Sequence, residues 1–304
     1  MTVKPETRLV SKFVPPQVNT EEAETVKSVA DFVKGAVGAT WASSFVVQIL
    51  LAGSLNTIFM SSRYLQIMVH MLLVRIQIPA NAYVFFAALF QVAAFDVVPT
   101  DSMYMKMFDI DEEPLSENFE HLGYETRQFL YNSGSISLVI ILFFPIMLCV
   151  YLIGWMPCQS AKKVSARVKN RVLFSGIFSF LIESYMILSV CCCINQTSLK
   201  WVHEKSWRAF GVNINILFTY TFTFIVVAIP IAVGIVYKKY FDLIAFDTAV
   251  NERYGKFIAE LSTLKRGKSV LYYPVMGHVR KLILAFTMIF LQNYPNFTLF
   301  SINF

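Results

Sequence analysis

Charged residues are scarce in this sequence of 304 residues. Only 15% of the chain is Asp, Glu, Lys or Arg, whereas 56% is hydrophobic, including 28 Phe and 14 Tyr. A soluble surface needs about a quarter charged residues, and a single core of this size cannot bury so much apolar surface. The composition therefore excludes an ordinary soluble domain and predicts an all-α, polytopic bundle of membrane-spanning helices.

Signatures of enzymes and of disulfide-rich secreted proteins are also missing. Three of the five cysteines are consecutive, and no pair has the spacing of a zinc site or of a disulfide framework. The four histidines are far apart, and neither a glycine-rich phosphate loop nor a nucleophile elbow is present. We therefore expect no enzymatic activity, no cofactor and no bound metal. The net charge of +6 lies mostly in loops between hydrophobic runs, which favours membrane lipids over nucleic acid as partners.

Six hydrophobic stretches approach the roughly 20 residues that a transmembrane helix requires. They cover residues 36–60, 79–98, 134–155, 172–193, 212–237 and 279–300. Pro230 is expected to kink the fifth stretch, which a helix in lipid tolerates. Residues 1–35 form a polar tail before the transmembrane domain of residues 36–304. No internal repeat is present, so a carrier built from inverted repeats has no support.

Residues 63–77, between the first two stretches, have the pattern of an amphipathic helix. At 100° per residue, Arg63, Gln66, His70 and Gln77 fall on one side, and Leu, Ile, Met and Val cover most of the remainder. This pattern predicts one interfacial amphipathic helix that lies in the plane of the membrane surface. The alternative is a helix packed beneath its neighbours.

The distribution of basic residues predicts the orientation of the chain. If the six spans alternate, the segment at 63–75 and the loops at 162–171 and 238–281 lie on one side, with sixteen Lys and Arg residues against ten on the other. The positive-inside rule then makes the loops at 156–171 and 238–278 cytoplasmic. The polar tail and the acidic loop at 101–127 are external, and the plasma membrane is the expected location.

Two sets of surface residues follow from this orientation. Basic residues beside the inner leaflet are expected to contact lipid phosphates. These residues are Lys162, Lys163, Arg167, Lys169, Arg171, Arg280 and Lys281. Two Asn-X-Thr sequences, at Asn195 and Asn296, fall on the external side and are candidate glycosylation sites.

Two acidic residues lie at or near membrane depth. Glu183 is surrounded by hydrophobic residues of the fourth stretch, where an ionised carboxylate costs several kcal/mol unless it has a partner or a water-filled path. One interpretation is a cation or proton site that faces the bundle interior. The other is a neutral, hydrogen-bonded carboxyl that joins two helices. Asp96 ends the second stretch and is a weaker candidate, because a helix-end position at the interface also accounts for it.

A series of short motifs runs in order along most of the chain. They are Gln66-Ile-Met-Val-His70, Ile78-Pro-Ala-Asn-Ala82, Phe95-Asp96 with Pro99, Gly123-Tyr-Glu125, Asn132-Ser-Gly134, Phe180-Leu-Ile-Glu-Ser-Tyr185, Arg253-Tyr-Gly255, Leu271-Tyr-Tyr-Pro274, Arg280-Lys281 and Asn293-Tyr-Pro295. Together they resemble the TRP-like transmembrane region of large cysteine-rich surface proteins of single-celled eukaryotes. That region is distantly similar to fungal TRP-like channels.

The resemblance implies a channel-like transmembrane domain at the cell surface, preceded by a long external domain. The chain lacks the long cysteine-rich region and ends where such proteins continue into further spans. A partial or reduced member of the family is therefore expected.

Two functional hypotheses follow. The first is a TRP-like, ion-channel-related domain that conducts cations, with Glu183 as the ion- or proton-sensitive group. The second is a non-conducting membrane anchor or scaffold for a surface protein, in which polar residues at membrane depth pair with one another. A homo-oligomer is a candidate assembly in both cases.

Overall fold

The computed structural model describes residues 65–74, 79–94, 100–108, 113–169, 177–244 and 272–294, together with a few isolated helical positions nearer the two ends of the chain. These residues form helices and short connections, and none of them lies in a β-strand. The all-α prediction is confirmed for this part of the chain.

Ten α-helices are labelled here in chain order. They are α1 (Ala80–Ala93), α2 (Asp101–Phe108), α3 (Glu117–His121), α4 (Phe129–Asn132), α5 (Gly134–Trp155), α6 (Gln159–Lys169), α7 (Phe178–Glu183), α8 (Tyr185–Gln196), α9 (Trp207–Ile244) and α10 (Tyr272–Phe290). Before α1, a helical stretch at residues 65–70 ends in the 3₁₀ turn Met71–Leu73.

Among the described residues, two helices are long and apolar enough to cross a membrane, judged by length and composition. They are α5 and the part of α9 from Trp207 to Tyr240. α5 has the predicted bounds of the third stretch, and α9 contains the whole fifth stretch. Each has an internal proline, Pro145 in α5 and the expected Pro230 in α9.

The other predicted spans differ from the helices that form. Most of the first stretch lies outside the described residues. α1 has 14 residues and is therefore about 21 Å long, less than the ~30 Å of a hydrocarbon layer. The fourth stretch is divided at Ser184 into α7 and α8, and α10 begins at Tyr272, seven residues before the predicted sixth span. The count of six spans remains a prediction.

α8 is the centre of the bundle. Each of its residues from Tyr185 to Asn195 is buried, because α4, α9 and α10 pack around it. The Tyr185 hydroxyl donates a hydrogen bond of 3.0 Å to the carbonyl of Val226 on α9, and its ring meets His278 of α10 edge to face. α8 has only 12 residues, yet it contacts both of the longer helices α9 and α10.

α9 is apolar on two opposite sides. Its inner side packs in the core through residues spaced three and four apart: Ile216, Thr219, Phe222, Val226, Ile229, Val233 and Tyr237. Its outer side exposes a second series, Leu217, Tyr220, Phe224, Val227, Ile231 and Ile235. At 100° per residue, this outer series lies within an arc of about 80°. We call it the α9 outer stripe.

α5 and α6 form a helical hairpin, in which α6 packs beside the last turns of α5. Ser165 of α6 donates a hydrogen bond of 2.7 Å to the carbonyl of Val150, and Lys169 lies over the ring of Tyr151 at 4.8 Å. The segment predicted as a loop at 156–171 is therefore helical from Gln159 to Lys169. Lys162 and Lys163 of α6 are exposed.

Residues 113–133, which we call the cap, include α3 and α4 and cover the opposite end of the bundle from α6. Gly123 ends α3 with φ +94°, a left-handed conformation that favours glycine, and the Tyr124 N–H then bonds back to the Phe119 carbonyl at 2.9 Å. This turn directs Tyr124 toward the helical stretch at 65–70. Asn118 also reaches this region and donates to the carbonyls of Leu72 and Leu73 at 3.3 and 3.2 Å.

These contacts correct the predicted interfacial helix. Gln66 and His70, expected on its polar side, are both completely buried, whereas Met68 is half exposed. The stretch is packed beneath its neighbours, which was the alternative interpretation.

The predicted orientation also placed residues 63–75 and the loop at 101–127 on opposite sides of the membrane. Because the two segments are in direct contact, that placement is wrong for one of them.

His70 joins the cap to the helical stretch. Its Nδ1 lies 2.6 Å from the Gln66 carbonyl, which only accepts, so Nδ1 carries the proton. Nε2, at 2.9 Å from the Tyr124 hydroxyl, then accepts a hydrogen bond from it. Burial lowers the pKa of His70 from 6.5 to about 4, with a smaller opposing effect of the bond to Gln66. The folded protein thus holds a neutral imidazole.

The stability of the folded chain should fall as the pH falls from 6.5 to about 4. In this range the unfolded chain binds a proton at His70 that the folded chain does not, and the loss amounts to about 3 kcal/mol. The free energy of unfolding measured against pH should show this slope, and His70→Gln should remove it. His121→Gln, at an exposed position of the same cap, should retain it. An identical slope in both variants would assign the effect to other groups.

Candidate functional site

Polar side chains meet where α8, α9 and the cap come together. Asn195 donates through Nδ2 to the Arg127 carbonyl at 2.6 Å, and its Oδ1 lies 2.8 Å from the Thr219 hydroxyl. Asn215 accepts a hydrogen bond of 2.9 Å from the Leu130 backbone N–H. We call Asn195, Asn215 and Thr219 the polar lock.

The polar lock fixes the cap on two helices at once. Asn195 and Asn215 are each 2% exposed, and Thr219 is fully buried with its hydroxyl also 2.8 Å from the Asn215 carbonyl. Buried amides and hydroxyls are costly unless they are hydrogen-bonded, and the Thr219 hydroxyl is the group that contacts both asparagines. The second functional hypothesis predicts polar pairing of this kind at depth in the bundle.

An open cavity of about 620 Å³ lies directly above the polar lock. Its lining comes from the cap, the end of α8, the connection from α8 to α9, and the first turns of α9. The lining residues are Glu113, Arg127, Gln128, Asn195, Thr197, Ser198, Lys200, Val202, Glu204, Ser206, Arg208, Ala209, Val212, Asn215 and Ile216. We call this space the polar cavity.

The walls of the polar cavity are held in place by hydrogen bonds. Asn213 binds Val202 twice, accepting from its N–H at 3.1 Å and donating to its carbonyl at 2.8 Å. Ser206 caps α9 by accepting from the Ala209 N–H at 3.1 Å, and Thr197 donates to the Ile194 carbonyl at 2.7 Å. The connection between α8 and α9 is consequently fixed against both helices, and the cavity has a defined shape.

The charges in the polar cavity are divided between its interior and its rim. Glu113, Lys200, Glu204 and Arg208 are exposed at the rim, whereas Arg127 is half buried. The Nε of Arg127 is shielded from solvent and has no hydrogen-bond partner, and the Oε1 of the buried Gln128 is in the same situation. Sequence reasoning did not find this site, because its residues come from three separate segments.

Glu183 is the predicted ion or proton site. It ends α7 and is 3% exposed. The next residue, Ser184, has φ −82° and ψ 3°, and its hydroxyl donates to the Phe180 carbonyl at 2.7 Å, a contact that bends helices. The regular helix is thus interrupted at Ser184, beside the acid. Glu183 is not among the residues that line the polar cavity, so the structure does not bring the two features together.

The remaining predicted site residues have different surroundings. Asp96 and Arg171 lie outside the described residues, as does the side chain of Arg167 in α6. Arg280 is half buried, and Lys281 is 7% exposed on the inner side of α10, which is inconsistent with its predicted contact with lipid phosphates. No group of three His, Cys, Asp or Glu side chains in the described part could hold a metal.

The two candidate glycosylation sites also differ. The Asn195 amide is buried and both its atoms are hydrogen-bonded, so the fold leaves no room for a glycan at this position. Asn296 is exposed and remains a predicted site.

Comparison with known proteins leaves the family open. No protein-family model, curated protein or solved structure matches this chain. The resemblance to TRP-like transmembrane regions therefore remains a hypothesis that rests on the sequence motifs.

Thr219→Val should destabilise the fold because it leaves the buried Asn195 Oδ1 without a hydrogen-bond donor. The expected loss is about 1–3 kcal/mol in the free energy of unfolding, measured by denaturant titration in detergent micelles. Thr221→Val is the matched control, because the Thr221 hydroxyl is exposed and bonds only to Leu217 of its own helix. Equal effects of the two substitutions would show that the polar lock does not stabilise the fold.

Proposed function

We propose that this chain is an integral, multi-pass membrane protein whose bundle acts as a closed scaffold for the structured cap. The α9 outer stripe carries the proposal. From Leu217 to Ile235 it extends about 27 Å along the helix, close to the ~30 Å thickness of a hydrocarbon layer. A helix that is apolar on its buried and on its exposed side is typical of a membrane span.

α5 has the same property. Among its large exposed side chains, five form a series at helical spacing: Phe144, Leu148, Tyr151, Leu152 and Trp155. Exposed apolar surface of this extent is rare on soluble monomers, and lipid is the surrounding that removes its cost. Between Arg208 and Lys238, α9 contains no charged residue, so polar anchors stand at both ends of the stripe.

The scaffold function is supported by the polar lock. Asn195 and Asn215 border the polar cavity, but their hydrogen bonds go to Thr219 and to the backbone of the cap, which joins the cap to α8 and α9. These hydrogen bonds fix the cap in one position relative to the ends of α8 and α9.

A charge in the middle of the α9 outer stripe should prevent stable embedding. Phe224 is 75% exposed and lies near the centre of the uncharged part of α9. Phe224→Arg should lower the fraction of chain that floats with liposomes after carbonate extraction, since Arg at the centre of a span costs about 3 kcal/mol. Trp201→Arg, at an exposed position in the connection before α9, should float like the unmodified chain. A chain that is monomeric and soluble without detergent would refute the embedding.

Cation conduction is the second candidate function, and the interruption of the helix at Ser184, next to the buried Glu183, supports it. Acidic residues and interrupted helices inside a membrane mark ion paths in many transporters and channels. If such a path exists beside Glu183, reconstituted liposomes should show a cation flux that Glu183→Gln reduces. Glu120→Gln, at an exposed position of the cap, is the control. If liposomes that contain the unmodified chain show no cation flux, conduction is excluded and the scaffold remains as the proposed function.

A further inference from the structure

We propose that the polar cavity binds a phosphate group, with Arg127 as its principal ligand. The group belongs either to a phospholipid head or to a soluble phosphorylated molecule. The lipid source rests on the proposed membrane embedding, whereas the recognition of phosphate rests on the cavity alone.

The first argument is the state of Arg127. Its Nε is buried without a partner, and a guanidinium is a rigid fork of donors that matches the oxygens of a phosphate. The backbone carbonyl of Arg127 accepts a hydrogen bond of 2.6 Å from Asn195, so the backbone that carries the guanidinium is fixed against α8. Arg127 is one of the residues that line the polar cavity, so the remaining donors of its guanidinium are the ones that an oxyanion in the cavity would engage.

The second argument is the charge of the lining. Arg127, Lys200 and Arg208 contribute three positive charges, and Glu113 and Glu204 contribute two negative charges. The four rim residues are exposed and their charges are screened by solvent, so the partly buried Arg127 dominates the interior. Of the uncharged polar groups in the walls, Thr197 and Ser198 cap α8 and Ser206 caps α9, whereas the Oε1 of Gln128 has no partner.

The third argument is the position of the cavity. Along α9 its lining ends at Ile216, and the α9 outer stripe begins at Leu217. If the stripe faces hydrocarbon, the cavity lies at the level of the lipid headgroups. Exposed aromatic residues that flank it, Trp201, Trp207 and Phe210, are the type that concentrates at this level.

The test measures phosphate binding in two arms. In the lipid arm, the full chain is placed in nanodiscs that contain phosphatidylglycerol or a galactosyl diacylglycerol with the same acyl chains, and bound lipid is counted by native mass spectrometry. In the soluble arm, the chain in galactolipid nanodiscs is dialysed against radiolabelled inorganic phosphate. Retention of phosphatidylglycerol alone identifies the lipid source, and binding of inorganic phosphate identifies a soluble source.

Arg127→Gln should weaken binding at least about tenfold in the arm that shows it, because it removes a charge-assisted pair of hydrogen bonds. Arg127→Lys, which keeps the charge but loses the fork, should give an intermediate affinity. The matched control is Lys205→Gln, which removes one positive charge from the same connection but does not line the cavity.

Two results would overturn the inference: no binding of either probe, or equal weakening by Arg127→Gln and Lys205→Gln, which would indicate unspecific attraction. Failure of the embedding has a different readout, because the chain would then not enter nanodiscs at all. Dialysis of the detergent-free chain against inorganic phosphate would still test the cavity in that case.

Discussion

The side-chain amide of Asn195 is the point on which the arrangement of the described bundle depends. It belongs to the last turn of α8, yet its two polar atoms contact the cap and α9. An apolar residue in its place would leave a cap carbonyl and the Thr219 hydroxyl without this partner in a water-poor interior. Leaving a buried polar group unpaired costs more folding free energy than a satisfied hydrogen bond contributes. The Asn195 amide therefore matters mainly because it fixes the position of the cap against α8 and α9, and less because it stabilises the fold.

The fold gathers three polar features at one end of the bundle and places its exposed apolar surfaces around the middle. The cap, the polar lock and the polar cavity lie together where α8 ends and α9 begins. Below them, the stripes on α5 and α9 present only hydrocarbon-compatible side chains to the surroundings. This separation is what a chain embedded in lipid requires, since backbone and side-chain polar groups must find partners inside the protein at membrane depth.

Sequence periodicity was informative for helices with strong patterns and misleading for short ones. The bounds of α5 follow directly from an uninterrupted apolar run, and Pro230 is located inside α9 as expected. The stretch at 65–70 has an equally clear polar stripe, but the stripe faces the interior because Tyr124 and the Ala93 carbonyl provide its partners. A helical wheel shows which residues share a side, but it does not show what covers that side.

Composition and hydropathy by themselves determined that the chain is helical, that α5 and α9 are apolar along their length, and where charged residues interrupt them. These are local properties, fixed by the cost of exposing or burying each side chain. Only the tertiary structure decided that Gln66 and His70 are buried, that Asn195 is a structural amide with no space for a glycan, and that Arg127 lines a cavity. Each of these depends on contacts between segments far apart in sequence, and no local pattern encodes which segments meet.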